Sequence, residues 1–359
     1  MSPQPARKIS DEHARDLVQD LHKPEPWIFW SDLVFTATVA WGAFVAAGLL
    51  GSLWSLAALA IASAAFYRGL CFIHELTHLK TRALPGFETA WNLLFGAPLL
   101  LPSFVYVGVH QDHHKLSTYG TEQDPEYMPF AQSDIRTLVF TLHSILLPVF
   151  QVLRFVVISP VALLVPPLHR WVAVHASALS MNVNYKRSIS PSLNRSMRLW
   201  ECLILGLWIP AVAGMYMGVF SWRLLISWYA VTATTSLVNT LRTLGAHNYE
   251  SSGEPLDRNG QLLDSIDTPG NVFTELWAPV GLRYHALHHY FPGIPYHNLP
   301  EAHRRLIQGL PGDASYRATL SPGLRHSLVR LYRRGGQARI TGAARGVASQ
   351  HSADLSRIG

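Results

Sequence analysis

Hydrophobic and polar positions along this chain fall into long uncharged blocks separated by short polar ones. From Leu33 to Tyr67 there is no charged residue, and Gly48, Gly51 and Ser52 interrupt the block near its middle. About 20 residues of helix, roughly 30 Å, cross a bilayer core. The block therefore predicts two spans, residues 28–48 and 52–72, joined by a tight turn. Cys202–Phe220 and Leu224–Leu241 are also free of charge and flank a short Ser221, Trp222, Arg223 turn, which predicts spans over 200–220 and 223–243. Two further apolar stretches are interrupted: Thr89–Val109 by Pro98 and Pro102, and Thr137–Leu168 by Arg154, Pro148, Pro160, Pro166 and Pro167. Proline removes a helix donor and clashes with the preceding turn, so both stretches are expected to dip into the membrane or lie at its surface and return to the side they left.

Composition agrees with a membrane protein. Apolar residues make up 49% and charged residues 14%, against about 25% charged in an ordinary soluble domain. The first 26 residues are polar and carry Pro3, Pro5, Pro24 and Pro26, without the basic start and apolar core of a signal peptide. They read as a cytosolic tail, 1–26, ahead of a membrane domain over 27–311. After Tyr249 the chain turns mixed, with turn signals at Ser252-Gly253, Asn259-Gly260 and Pro269-Gly270.

A basic tail over 312–359 follows, with eight arginines between Arg317 and Arg357. In it Leu324, Leu328 and Leu331 recur at helical spacing, the pattern of a basic interfacial helix, although a disordered tail fits the composition equally. The net charge of +6 also gathers at Lys186, Arg187, Arg195 and Arg198. Beside membrane spans, the positive-inside rule explains this charge better than nucleic-acid binding does. Both termini are expected to be cytosolic, in a bacterial inner membrane. Cys71 and Cys202 are too few for a disulfide framework, a CxxC zinc site or an iron–sulfur cluster, so any electrons must come from another protein or cofactor.

Histidine is the unusual residue, at 18 of 359, and neutral imidazole is the commonest protein ligand for transition metals. HELTH places His74 and His78 four residues apart directly after the second predicted span. On a continuing helix the two rings share one face, one turn apart. HQDHH carries His110, His113 and His114, and HALHH carries His285, His288 and His289. In each, the first and second rings are expected to share a face, with the third about 100° away and bridging toward a neighbouring metal.

HxxxH alone is common by chance; two HxxHH pentads beside it are not. Eight imidazoles packed at a membrane boundary for stability alone would repel one another on protonation, whereas a bound metal holds them neutral. A lone histidine at a helix end is more often a cap, but His247, in GAHNYE just after the fourth predicted span, falls at the same boundary and is a ninth candidate. His143, His169, His175, His297 and His303 lack a partner pattern and read as packing, capping or surface residues. HELTH also satisfies HExxH, the motif of zinc proteases, but that reading leaves both pentads unexplained.

Together these groups resemble the membrane fatty acid desaturase and hydroxylase superfamily, whose pattern is HxxxH or HxxxxH, then HxxHH, then HxxHH or QxxHH. The likeness runs from residue 27 to about 311 and takes in the run HHYFPGIPYHNLP. It implies an all-α integral membrane protein: four transmembrane helices in two hairpins, interfacial helices, and a cytosolic helical cap that holds two iron ions above an acyl tunnel. The metal ligands it implies are His74, His78, His110, His113, His114, His247, His285, His288 and His289. Animal acyl-CoA desaturases have HxxxxH first and an asparagine four residues before the extra histidine; here the first spacing is HxxxH and that position is Thr243. Thr243 and Asn239 are therefore candidates for the role of that asparagine.

Glu75, Asp112, Asp124 and Asp267, with Glu126, Glu250 and Asp264, could orient the imidazole rings from behind. The expected activity is an O2-dependent desaturase acting on a fatty acyl chain linked to lipid, CoA or carrier protein, with a ferredoxin-like or cytochrome-type donor. A hydroxylase or ketolase of a fatty acid, alkane or carotenoid is the alternative, because one oxidant can remove a second hydrogen or return oxygen to the carbon.

Overall fold

The computed structural model describes residues 11–79 and 83–355. The ends of both expected tails, with Pro3, Pro5 and Arg357, lie outside the described residues. Those described are helical throughout, with only isolated bridges such as His247 with Ser265 and Asp267 with Tyr284.

A short helix, α1 (Asp11–Val18), precedes the first membrane hairpin of α2 (Pro26–Leu49) and α3 (Ser52–His78). Pro26 at the start of α2 gives up a donor that the first turn leaves unused. The hairpin closes through Trp41, Phe44 and Phe66, whose rings meet edge to face at 5.0–6.1 Å. One ion pair ties it: Arg68 Nη2 lies 2.5 Å from Asp32 Oδ2. Beyond the expected end at 72, α3 continues for six residues, and this extension carries HELTH.

The two interrupted stretches behave differently. Over Thr89–Val109 the chain makes α4 (Phe87–Trp91), a π-helical turn (Asn92–Gly96) and a 3-10 turn (Ser103–Val105) with irregular structure between them. It folds back on itself as the Asn92 side chain accepts from Ser103 N (2.7 Å) and donates to Ser103 Oγ (2.8 Å). The next helix is α5 (Val109–His114).

In the second stretch, α6 (Asp134–Val152), a π-helical turn (Leu153–Ile158) and α7 (Ser159–Leu164) run on as 31 residues long and apolar enough to cross a membrane. Among the described residues five helices, rather than the expected four, meet that requirement. Proline interrupts a helix through its clash with the carbonyl four residues earlier; here the widened turn before Pro160 supplies the room. Ser159 Oγ then donates to the Arg154 carbonyl at 3.1 Å. The chain returns through α8 (Pro166–His175): Ala176 O accepts from Arg154 Nε (2.7 Å), Leu179 N donates to Val105 O (2.7 Å), and Met181 N donates to Pro125 O (2.9 Å).

A second hairpin, α9 (Pro191–Tyr216) and α10 (Arg223–Leu244), turns at Gly218 and packs Trp208 against Trp228 at 4.8 Å. Large apolar side chains such as Phe35, Leu53, Trp54, Leu164 and Ile226 are exposed on these helices. Hydrocarbon suits such surfaces and water does not; the chain is a multi-pass membrane protein.

The polar segments form the remaining helices, α11 (Arg258–Asp264), α12 (His285–Tyr290), α13 (Leu299–Gly309), α14 (Ser315–Ala318) and α15 (Leu324–Leu355). Ala14, Val18 and Leu21, from the expected N-terminal tail, are buried against Leu299, Ala302 and Leu306 of α13. Of the two readings of the basic tail, a helix forms, α15, with Leu331 buried beside Phe130, Leu244 and Tyr249. It crosses the start of α6 so closely that a Cβ on Gly335 would lie 2.5 Å from Asp134 N, a contact that only glycine permits.

Candidate metal centre

Three short stretches of helix deliver the histidines. The end of α3 presents His74 and His78, and α5 starts at Gly108, whose φ of +87° allows the abrupt turn that aims His110, His113 and His114 inward. Asp267 holds the start of α12: its carboxylate accepts from Leu287 N (3.1 Å) and Tyr316 OH (2.7 Å). His247 follows α10 directly.

All nine expected histidines converge, in two groups. His74, His78, His110, His114 and His288 each offer a nitrogen within 4.8 Å of the others, as do His113, His247 and His289. His285 joins the second group, its Nε2 lying 2.7 Å from His247 Nε2 and 3.1 Å from His289 Nε2. The rings of His114 and His289 stack at 4.2 Å where the groups meet.

The division within each pentad differs from the expectation. The first and third histidines pair, His110 with His114 and His285 with His289, while His113 and His288 each cross to the other group. On a helix of about 100° per residue, positions four apart are offset by about 40° and positions three apart by about 60° in the opposite sense. A pentad therefore straddles two sites, with its second ring on the far side.

Hydrogen bonds behind the rings fix their direction. His110 Nδ1 faces Glu126 Oε1 at 2.9 Å, and His113 Nδ1 faces Asp124 Oδ1 at 2.8 Å. A carboxylate only accepts, so each Nδ1 carries the proton and Nε2 turns its lone pair to the centre. His247 Nδ1 lies 2.9 Å from Tyr119 OH, which also donates to Asp264 Oδ2 at 2.9 Å.

Among the other candidates, Glu75 Oε1 lies 3.8 Å from His74 Nδ1, and its Oε2 accepts from Tyr296 N at 3.0 Å. Asp112 turns away, toward Lys115 Nζ (2.5 Å) and Tyr185 OH (2.6 Å), because its neighbours on α5 occupy the inward face. Thr243 contributes a main-chain carbonyl, which accepts from Tyr249 OH at 3.1 Å, and Asn239 accepts from Arg242 at 3.0 Å. Glu250 pairs with Arg334 of α15. Sequence reasoning missed Tyr106 and Tyr119. Both are buried beside histidines at 2.9 Å, and no spacing marked them, since their partners are set by folding.

Burial, then repulsion from neighbouring rings, lowers the pKa of His110, His114, His285, His288 and His289; burial also lowers that of His247. Burial opposes the charged form of His113 too, but Asp124 outweighs it and raises that ring. Glu126 is pushed up to about 7 by burial. Both nitrogens of His74 and the Nδ1 atoms of His285, His288 and His289 are buried without a protein hydrogen-bond partner. Neutral imidazoles with inward lone pairs form a donor set that fits a borderline transition-metal cation.

The family model described as fatty acid desaturase matches residues 52–320. A ceramide hydroxylase of Caulobacter vibrioides (strain NA1000 / CB15N) is 39% identical over 327 residues, 89% of this chain and 92% of that protein.

Proposed function

The chain belongs to the fatty acid desaturase family, and from that premise we propose that it is an O2-dependent hydroxylase of a membrane lipid, with ceramide as substrate. The likeness to a ceramide hydroxylase along nearly the whole of both chains carries the choice. It reverses the preference for desaturation drawn from the sequence, since histidine spacing reports the oxidant and not the product. The oxidoreductase family also displaces the HExxH protease reading.

The nine histidines are the residues that would hold two iron ions, and the two groups in which they gather support that number. Iron on nitrogen ligands supplies the reduction of O2 and the removal of hydrogen from an unactivated carbon. Overall, one C–H bond becomes C–OH; O2 takes two electrons and two protons from outside, and its second oxygen leaves as water.

The chain's own groups position the rings: Asp124 and Glu126 fix two of them, and Tyr119 links His247 to Asp264. The two cysteines support a separate donor protein docking on the cap, and the basic clusters support a cytosolic cap. The test is lipid profiling of a host expressing the wild type beside His288→Ala. A hydroxylated ceramide that depends on His288 supports the proposal; an unsaturated product returns the reading to desaturation, and unchanged lipids refute both.

A further inference from the structure

Between Asp267 and His285 the cap sends down a short segment. Val272–Leu276 forms a single 3-10 turn held by a capping box, in which the Asn271 side chain accepts from Phe273 N (2.9 Å) and Thr274 Oγ1 accepts from Asn271 N (3.1 Å). Thr274 is buried, while Val272, Phe273 and Leu276 are 75%, 70% and 62% exposed. In the polar stretch from 245 to 323, Leu320, at 38%, is the other large apolar side chain exposed to this degree among the described residues. Three such side chains on one five-residue turn form a patch, and a patch on a polar cap calls for a partner.

The contacts of this turn say which partner. Tyr67 OH donates to Trp277 O at 2.8 Å, and Arg68 Nη1 lies 3.5 Å from Glu275 Oε2. Tyr67 and Arg68 belong to α3, eleven and ten residues before His78, which is about 15 Å along a helix axis. Arg68 also pairs with Asp32, in the second turn of α2. The turn therefore lies beside the cap-side ends of two membrane helices, level with their ion pair and continuous with their apolar surface.

Behind it is a cavity of about 320 Å³ lined by Arg68, Glu275, Tyr284, Tyr296 and His297. Its charges are internally matched: Arg68 faces Asp32 and Glu275, Arg283 faces Glu275 at 3.3 Å, and Tyr296 OH donates to Asp32 at 2.9 Å. Two wall residues connect to the histidine groups: Tyr284 immediately precedes His285, and Tyr296 N donates to Glu75, whose Oε1 lies 3.8 Å from His74 Nδ1.

We propose that residues 271–277 are a wedge inserted in the cap-side leaflet, through which a membrane lipid with an uncharged polar head reaches the cavity, in place of a CoA or carrier-protein thioester drawn from water. Matched charges suit hydroxyl and amide groups, whereas a polyphosphate head would need free cations. This rests on the lipid-hydroxylase reading above and adds the route and the head-group class.

The experiment compares the full chain with the double variant Phe273→Asp, Leu276→Asp, each reconstituted in vesicles with its electron donor. Three substrates are used: long-chain ceramide within the bilayer, short-chain, water-dispersible ceramide, and an acyl-CoA. A wedge predicts that kcat/KM for the long-chain lipid falls about tenfold through KM, with the short-chain value and bound metal unchanged. A nitroxide on Phe273→Cys in a Cys202→Ser background is expected to be more accessible to O2 than to a water-soluble nickel chelate.

Equal loss on both ceramides, no loss on either, or greater accessibility to nickel would overturn the wedge while leaving hydroxylation standing. A wild type active only on acyl-CoA, or inactive on both ceramides, would overturn the substrate reading and the wedge with it.

Discussion

Asp124→Asn tests whether the carboxylates behind the histidines tune the metal centre. Asp124 is fully buried and makes four contacts: Oδ1 with His113 Nδ1 (2.8 Å) and Glu126 N (2.9 Å), and Oδ2 with His113 Nδ1 (3.0 Å) and Gly120 N (2.9 Å). An asparagine of the same shape must place its NH2 against either Gly120 N–H or Glu126 N–H, a donor facing a donor. It also loses the charge that holds the His113 proton on Nδ1. Losing a charge-assisted bond costs about 1.5–3 kcal/mol. Removing such a partner typically lowers metal affinity about 10–100-fold, or about 1.4–2.8 kcal/mol, so the two figures agree.

The assay is metal retained against a competing chelator. The variant is expected to lose metal from the His113, His247, His285 and His289 group at roughly 10–100-fold less chelator, while the His74 group stays loaded. Retention equal to the wild type, or parallel loss from both groups, would refute the reasoning.

Three further outcomes are expected. Six rings, His110, His114, His247, His285, His288 and His289, are held below the ordinary histidine value of 6.5. The unfolded chain therefore binds more protons than the folded one as pH falls below about 6.5, and their stabilisation, present above that value, is lost. His113, Glu126 and Asp267 are raised, the two carboxyls to about 7 by burial, and act in the opposite sense but are fewer. Metal-free protein should thus melt at a lower temperature at pH 5.5 than at pH 7.5, and a flat profile would contradict this balance.

Glu201→Leu strands Arg154, whose Nη2 lies 2.6 Å from Glu201 Oε1, and His169, 3.0 Å from Oε2. Breaking such a buried pair costs about 3–5 kcal/mol, to be read from thermal melts, and an unchanged midpoint would show the cluster to be dispensable. Gly335→Val forces α15 off the start of α6. Overpacking of this kind costs about 1–3 kcal/mol and should speed proteolysis of α15; unaltered digestion would argue against the close crossing.

The chain's own pattern determined four of the five helices long and apolar enough to cross a membrane, because an uncharged run of about 20 residues has one stable home. It also determined which imidazole rings lie on shared helical faces, since HxxxH and HxxHH set that arrangement whatever surrounds them. Helices α2 and α10 extend beyond the expected spans by only a residue or two, whereas α3 runs six residues further and α9 starts nine residues earlier and ends four residues sooner. Folding decided what spacing cannot express. Pro160 was absorbed through a π-turn and the Ser159 hydroxyl. His113 and His288 went to opposite groups because that choice depends on how α3, α5 and α12 cross. Glu126 met His110, and Tyr119 joined His247, 128 residues further on, to Asp264. Local periodicity fixes which face a residue occupies; only packing fixes what that face meets.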